Sequence, residues 1–213
     1  MKVLVIGATG RLGKLLVAYS LEEGHEVIAF SPNIDEFPFG HEKLTLFQGD
    51  AHFQSLIASA AQDVDVIFSV VGIRKFSGPI TLLSDSIRNI IGAMQKLGKK
   101  RIITITGAGI LQDNERQTIM ESLSFPPNLQ NLSLDHQRVW ELLRASDLDW
   151  TIACPAFMHT RERTGKYLVA KDYYPKQALN EVSVEDVADF MVKEMVENQY
   201  LKSRVGIASP RGQ

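Results

Sequence analysis

The sequence predicts a doubly wound α/β fold, a parallel sheet covered by helices on both faces. Two observations predict it. The chain opens on an apolar run, Lys2-Val3-Leu4-Val5-Ile6, that passes without a gap into Gly7-Ala8-Thr9-Gly10-Arg11-Leu12-Gly13 and then into a helical pattern. Beyond it, short apolar runs alternate with amphipathic helical stretches, as expected of strands buried on both faces by crossover helices.

The elements follow in order. Residues 2–6, bounded by Gly7, read as a buried parallel strand. The glycine turn feeds a helix over 12–23, closed at Gly24, where a left-handed cap suits a residue without a Cβ. Apolar runs at 26–30 and 44–48 are the next strands, followed by a helix at 53–61 and a strand at 64–70. A long amphipathic pattern at 82–97 ends on Gly98 in the same way. Lys99-Lys100-Arg101 reads as a solvated loop before the strand 101–105. Between residues 106 and 132, Ser124-Phe125-Pro126-Pro127-Asn128 excludes a continuous helix. A long loop after a parallel strand lies at the carboxyl edge of the sheet, so this one is expected to be a lid or pocket wall. A helix at 134–145 and a strand at 150–154 come next. Residues 155–182 are read as irregular, rich in cations, and carrying Tyr173-Tyr174. In the last helix, 184–196, Ser183 with Asp186 resembles a capping box.

The 213 residues favour one domain, 1–213, with 155–182 as its small substrate-facing segment. A net charge of −2 leaves no electrostatic footprint for nucleic acid. Cys154 is the single cysteine, which excludes an internal disulfide and a multi-cysteine metal site; it is read as a small buried hydrophobe, and no metal is expected. No apolar run approaches a membrane span, and the chain enters its first strand without a leader pattern. The expectation is a cytoplasmic protein with no membrane or nucleic-acid partner, monomeric or homodimeric.

Three glycines at this spacing let the backbone turn sharply, approach a pyrophosphate, and pack helix against strand, while the helix N-terminus offers free N–H groups to the anion. A Rossmann-type dinucleotide site is therefore expected. At the end of the second strand stands Ser31-Pro32-Asn33, neither an acid for the ribose hydroxyls nor a base for a 2′-phosphate, and Asp35 and Glu36 come late for that role. Arg11 inside the turn and Arg74-Lys75 after the fourth strand tilt the expectation to NADP(H) over NAD(H). The alternative for Arg11 is a solvent-facing residue of the first helical turn. Gly49-Asp50 closes the third strand, where Asp50 either bonds the adenine amino group or caps the next helix. In Val70-Val71-Gly72-Ile73 the glycine lets the adenosine ribose approach the backbone.

On these residues the chain resembles the atypical short-chain dehydrogenase/reductase superfamily, and within it the NAD(P)H-binding group that holds flavin reductase/biliverdin-IXβ reductase and the NmrA-like proteins. Ser84-Asp85-Ser86-Ile87-Arg88-Asn89-Ile90-Ile91-Gly92-Ala93-Met94 resembles that group's fourth-helix signature. Leu142-Leu143-Arg144-Ala145-Ser146 through Thr151-Ile152 to Pro155 resembles its approach to the last strand, and Thr164-Gly165-Lys166-Tyr167 its Thr-Gly-x-Tyr element. The resemblance implies that Arg74 contacts the cofactor phosphates and that His136 lies near the nicotinamide ribose. The plainer reading of His136 is surface capping or a local ion pair, with Asp135 as an alternative cap. The cofactor set expected is Gly7, Thr9, Gly10, Arg11, Leu12, Gly13, Ser31, Asp50, Ala51, Val71, Gly72, Arg74, Thr106, His136, Pro155 and Phe157, with His136 and Thr106 as the catalytic candidates.

Typical members of the superfamily carry a Ser after the fifth strand and a Tyr-x-x-x-Lys on the next helix, because a lysine-lowered phenol can give its proton to a carbonyl. Here Thr106-Gly107-Ala108-Gly109 occupies the serine region and residues 134–145 hold no tyrosine. Tyr167 and Lys171 have the spacing, yet fall in a stretch rich in β-formers and read as a decoy. The biliverdin-IXβ group uses a serine and a histidine where this chain has Gly107 and Phe157, which argues against biliverdin as substrate. What remains around the nicotinamide is Thr106, His136, Phe157, His159, Tyr173 and Tyr174. That surround suits a flat aromatic or quinoid acceptor, a flavin or quinone, which takes a hydride while solvent supplies the proton. Phe157 either stacks on such a ring or fills core. The rival is an NmrA-like redox sensor that binds the dinucleotide without turning it over; a sugar-nucleotide epimerase is the weakest reading.

Overall fold

The computed structural model describes residues 1–73 and 78–211. Its strands are β1 (Lys2–Ile6), β2 (Glu26–Ser31), β3 (Leu44–Gln48), β4 (Val66–Ser69), β5 (Arg101–Ile105), β6 (Asp149–Pro155), β7 (Phe157–His159), β8 (Leu168–Lys171), β9 (Glu181–Ser183) and β10 (Ser203–Ala208). Its α-helices are α1 (Arg11–Glu22), α2 (Gln54–Ala60), α3 (Leu82–Leu97), α4 (Gln130–Ala145) and α5 (Val184–Glu197). Eight strands form one sheet in the order β3-β2-β1-β4-β5-β6-β10-β8, with only β8 antiparallel to its neighbour. The order reverses between β1 and β4, and in open α/β sheets that point, at the carboxyl ends of the strands, is where a crevice opens. β7 and β9 pair in parallel as a separate two-stranded ribbon.

Alternation along the strands divides the core. Val3 and Val5 of β1 pack on the face covered by α1 and α5, while Leu4 and Ile6 pack on the face covered by α2, α3 and α4. All four are essentially inaccessible, as a strand buried on both faces requires. Gly24 and Gly98 close their helices with φ of 80° and 68°, the left-handed conformation expected of them.

The expected six strands and five helices are all present, and four further strands accompany them. Two of these, β7 and β8, lie within 155–182 and β9 begins there at Glu181, so that segment is partly ordered into strands. β10 escapes the sequence pattern because Arg204 and Gly206 interrupt its apolar run. Both are needed there. The Arg204 guanidinium lies 3.9 Å from the Trp140 ring centroid, pairs with Asp172 at 3.3 Å, and donates to the Ile110 carbonyl. A Cβ on Gly206 would meet the Tyr173 carbonyl oxygen at 2.3 Å.

Local signals also misplace some residues. α4 starts at Gln130, after a 3₁₀ turn at Pro127–Leu129. The basic triplet is not simply a solvated loop: Lys100 pairs with Asp147 at the surface, but Arg101 is buried against Glu194. The capping box at α5 is half right. The Ser183 hydroxyl accepts from Glu185 N at 3.2 Å, whereas the Asp186 carboxylate accepts from Thr164 N, Thr164 Oγ1 and Gly165 N, each at 2.8 Å. Asp186 thus holds the Thr-Gly-x-Tyr element onto α5.

Candidate dinucleotide site

The glycine turn sits at the carboxyl end of β1, at the switch point. Gly7 has φ of 90°, and a Cβ there would lie 2.7 Å from the Val70 carbonyl oxygen. At Gly13 a Cβ would come within 2.2 Å of the Gly7 carbonyl oxygen and 2.8 Å of Ala8 Cα, so α1 approaches the turn as only glycine allows. Gly10 is the N-cap of α1, has no capping side chain, and no acid occupies the first turn. The helix end therefore presents unsatisfied N–H groups and positive partial charge. Leu12 is buried behind it, fixing the helix on the sheet.

On the adenosine side, Thr9 Oγ1 and Ser31 Oγ lie 2.7 Å apart, tying the turn to the end of β2. Gly49 is required because its Cβ would fall 2.3 Å from the Phe30 ring. Asp50 is not a helix cap, since α2 begins at Gln54 with Phe53 as its N-cap. Its Oδ1 instead lies 2.9 Å from His52 N and 2.8 Å from His52 Nδ1, and bonding to the His52 N–H holds the carboxyl below its usual range. Asn89 donates to the carbonyls of Ala51 and His52 at 3.0 and 2.9 Å and so fixes this loop from α3. The sequence alone did not single out Asn89 individually.

On the other half of the crevice, Val71 is partly buried and Gly72 exposed after β4, while Arg74 and Lys75 lie outside the described residues. Thr106 follows β5. Its hydroxyl is 3.2 Å from Cys154 Sγ, in the protein interior. The same hydroxyl lies 3.5 Å from the Gly107 carbonyl oxygen, and burial raises the neighbouring thiol to about 12. His136 is not a surface residue either. It is 8% exposed, and Nδ1 accepts from Gly107 N at 3.1 Å. An acceptor at Nδ1 leaves the proton of the neutral ring on Nε2. Gly107 packs beside the imidazole, where even a Cβ would stand at an ordinary contact distance of 3.5 Å.

Burial lowers the His136 pKa to about 4. The unfolded chain takes up this proton near 6.5 and the folded chain only near 4, so His136 favours folding fully above pH 6.5 and loses that advantage as the pH falls towards 4. Urea midpoints should drop over that window by the equivalent of roughly 3 kcal/mol, and His136→Gln should flatten the profile. A profile unaltered by the substitution would refute the assignment.

Asp135 does not cap its own helix. Fully buried, it accepts from Leu83 N at 3.0 Å and Ser84 N at 3.4 Å, and it also accepts from the Ser84 hydroxyl. These are the second and third residues of α3, so a side chain from α4 does the capping that α3 cannot do for itself. Arg138 adds a bond to the Ile80 carbonyl at 3.1 Å.

Pro155 ends β6 in the buried sheet. Phe157, on β7, is 52% exposed, which overturns its reading as core filler. Arg11 Nη2 donates to the Met158 carbonyl at 3.3 Å and Nη1 to Thr160 Oγ1 at 3.4 Å. Its guanidinium therefore engages the ribbon beyond β6, not the end of β2 where a 2′-phosphate would belong. His159 and Arg161 face Glu181 at 3.6 and 2.7 Å. Tyr173 is 44% exposed, and Tyr174 donates to the Leu179 carbonyl. The Tyr167–Lys171 pair is a decoy in the structure as well. Tyr167 donates to Asp189 at 2.8 Å, and burial followed by that bond raises its pKa, the opposite of what a proton donor needs.

A family model described as NAD(P)H-binding matches residues 7–198. The uncharacterized protein YwnB of Bacillus subtilis is 24% identical over 98% of this chain and 99% of its own length. Isoflavone reductase homolog A622 of Nicotiana tabacum is 34% identical over 46% of this chain, which spans 32% of that relative's length. Among solved structures, a Streptococcus pneumoniae protein provisionally assigned as an NADH-flavin reductase superposes with a TM-score of 0.81 at 23% identity, over 98% of this chain and 99% of its own. A short-chain dehydrogenase/reductase from Veillonella parvula in complex with NADP superposes with a TM-score of 0.78 at 16% identity, over 98% and 94%.

Proposed function

We infer from one premise, that the chain belongs to the NAD(P)H-binding family whose model spans residues 7–198, that it is an NAD(P)H-dependent reductase of a flat acceptor, a flavin or quinone. The residues fit the dinucleotide. Gly7 and Gly13 make the close turn, the N-terminus of α1 would face the pyrophosphate, and the Thr9–Ser31 pair stands at the end of β2, where Ser31-Pro32-Asn33 carries no acid to repel a 2′-phosphate. That missing carboxylate supports NADP(H) over NAD(H). The bound dinucleotide supplies a hydride equivalent; the protein's residues supply position.

The observation that carries the reading is His136. Neutral above pH 4 to 5 and holding its proton on Nε2, it is a fixed hydrogen-bond donor and not a proton source at neutral pH. With the Tyr167 phenol also held to Asp189, neither of these groups is matched to protonating a carbonyl. Flavins and quinones do without one, because solvent protonates the reduced ring. Phe157 offers an exposed face on which such a ring can lie. Catalysis then rests on proximity and orientation. The test is NADPH oxidation by the purified protein with riboflavin, menadione and a simple enone. Acceptor-dependent oxidation is expected with the first two, with a preference for NADPH over NADH. Tight dinucleotide binding with no turnover on any of the three would overturn the reading and leave the non-catalytic sensor, which Thr106's engagement with Cys154 would also suit.

A further inference from the structure

The wall that carries Phe157 also carries charge, and its cations are not equivalent. Arg161 is taken by Glu181 at 2.7 Å, and Arg163 by Asp189. Glu181 lies directly opposite Phe157 in the β7–β9 ribbon, and His159 approaches it as well. Arg11 is different: among the described residues it forms no ion pair. It is held only by the two long contacts to Met158 O and Thr160 Oγ1, both neutral acceptors. The residue on one side of Met158 is Phe157, whose ring is open to solvent; Thr160 follows the end of the ribbon. A guanidinium without an acid, fixed by its edge to the strand that presents an exposed aromatic face, is a fork waiting for an anion.

We propose that Arg11 determines acceptor specificity, selecting a flat ring that bears a phosphate or carboxylate on a short side chain. The proposal rests on the flat-acceptor reading and deepens it. Phe157 takes the ring, and Arg11 exchanges its long contacts to β7 for charge-assisted bonds to the acceptor's anion. The cofactor's own phosphates are the competing claim on this side chain, and the geometry weighs against the 2′-phosphate because Arg11 is bound to the ribbon beyond β6. Its claim on the pyrophosphate is decided by experiment.

Riboflavin and FMN share one ring system and differ by a single phosphate. Each is titrated into protein saturated with NADP⁺, with binding read from quenching of flavin fluorescence, so no turnover is required. FMN should bind about tenfold more tightly, the lower end of what hydrogen bonds to a charged group contribute. Raising the salt concentration should shrink that ratio. Arg11→Gln should bring it to about one, and Arg11→Lys should keep part of it, while thermal melts check that both variants fold. Equal affinities in the native protein, or a preference that survives Arg11→Gln, would overturn the proposal. So would a variant that loses NADP⁺ affinity while its FMN preference stays intact, since Arg11 would then belong to the pyrophosphate. Where neither flavin binds, this proposal falls while the flat-acceptor reading still stands or falls on turnover with menadione; where both bind equally, only the anion selection falls.

Discussion

Gly13→Ala is expected to unseat α1 and to weaken NADPH binding by at least about a hundredfold, with a loss of roughly 3 kcal/mol in folding stability. The added methyl would sit 2.2 Å from the Gly7 carbonyl oxygen and 2.8 Å from Ala8 Cα. Both are backbone atoms, so no rotamer change relieves the contact. Either the helix lifts from the turn or the turn opens, and in both cases the N–H groups proposed to face the pyrophosphate lose their aim. Gly92→Ala is the control. Its Cβ would meet only the end of the Gln54 side chain, which can swing away, and alanine is the better helix former. Urea denaturation and NADPH fluorescence titration read the two effects. A Gly13→Ala protein with native stability and affinity would show that the close helix–turn contact does not set the site.

Glu194→Ala should be the most damaging substitution away from the crevice, costing about 3–5 kcal/mol. The Glu194 side chain is 1% exposed, and its carboxylate accepts from Arg101 Nη2 at 2.9 Å, Thr151 Oγ1 at 3.0 Å, and the backbone N–H groups of Gln199 and Tyr200 at 3.0 Å. Truncation would leave the Arg101 guanidinium buried without its counter-charge, and Arg101 Nε already lacks a partner. The same substitution also frees the turn that leads from α5 into β10. Replacing the pair together, Arg101→Met with Glu194→Leu, should recover only part of the loss, because it removes the unpaired buried charge but leaves the Gln199 and Tyr200 N–H groups without their acceptor. If Glu194→Ala shifts the urea midpoint by less than the equivalent of about 1 kcal/mol, the network is not a structural tie.

What could be read in the sequence is what is local in it. The glycine turn announces itself because Gly7, Gly10 and Gly13 act on backbone within a few residues of themselves. The five helices and the first six strands follow from apolar spacing and from Gly24 and Gly98 at helix ends. The rest depends on partners distant in the chain. Gly107 meets His136 across 29 residues, Leu83 meets Asp135 across 52, and Arg11 meets Met158 across 147. No spacing rule connects such pairs, so Asp135 reads from the sequence as a cap for its own helix, and nothing local to Arg11 announces its contact with the β7–β9 ribbon. Buried charge misleads in the same way. Arg101 and Arg204 sit at polar-looking positions, yet one is paired inside the core and the other stacks on Trp140.

The place of β10 in the sheet orders events in time. β8 has no neighbour in the large sheet other than β10, which lies more than thirty residues further along the chain and must slide between β6 and β8. As the chain leaves the ribosome, β1 to β4 can assemble the half proposed to hold adenosine while the opposite half still lacks β10. Pairings of such long sequence separation are the slow ones. On the proposed reading the β8 edge is the last part of the sheet to close, and a dinucleotide that binds only the folded chain would favour that closure by mass action.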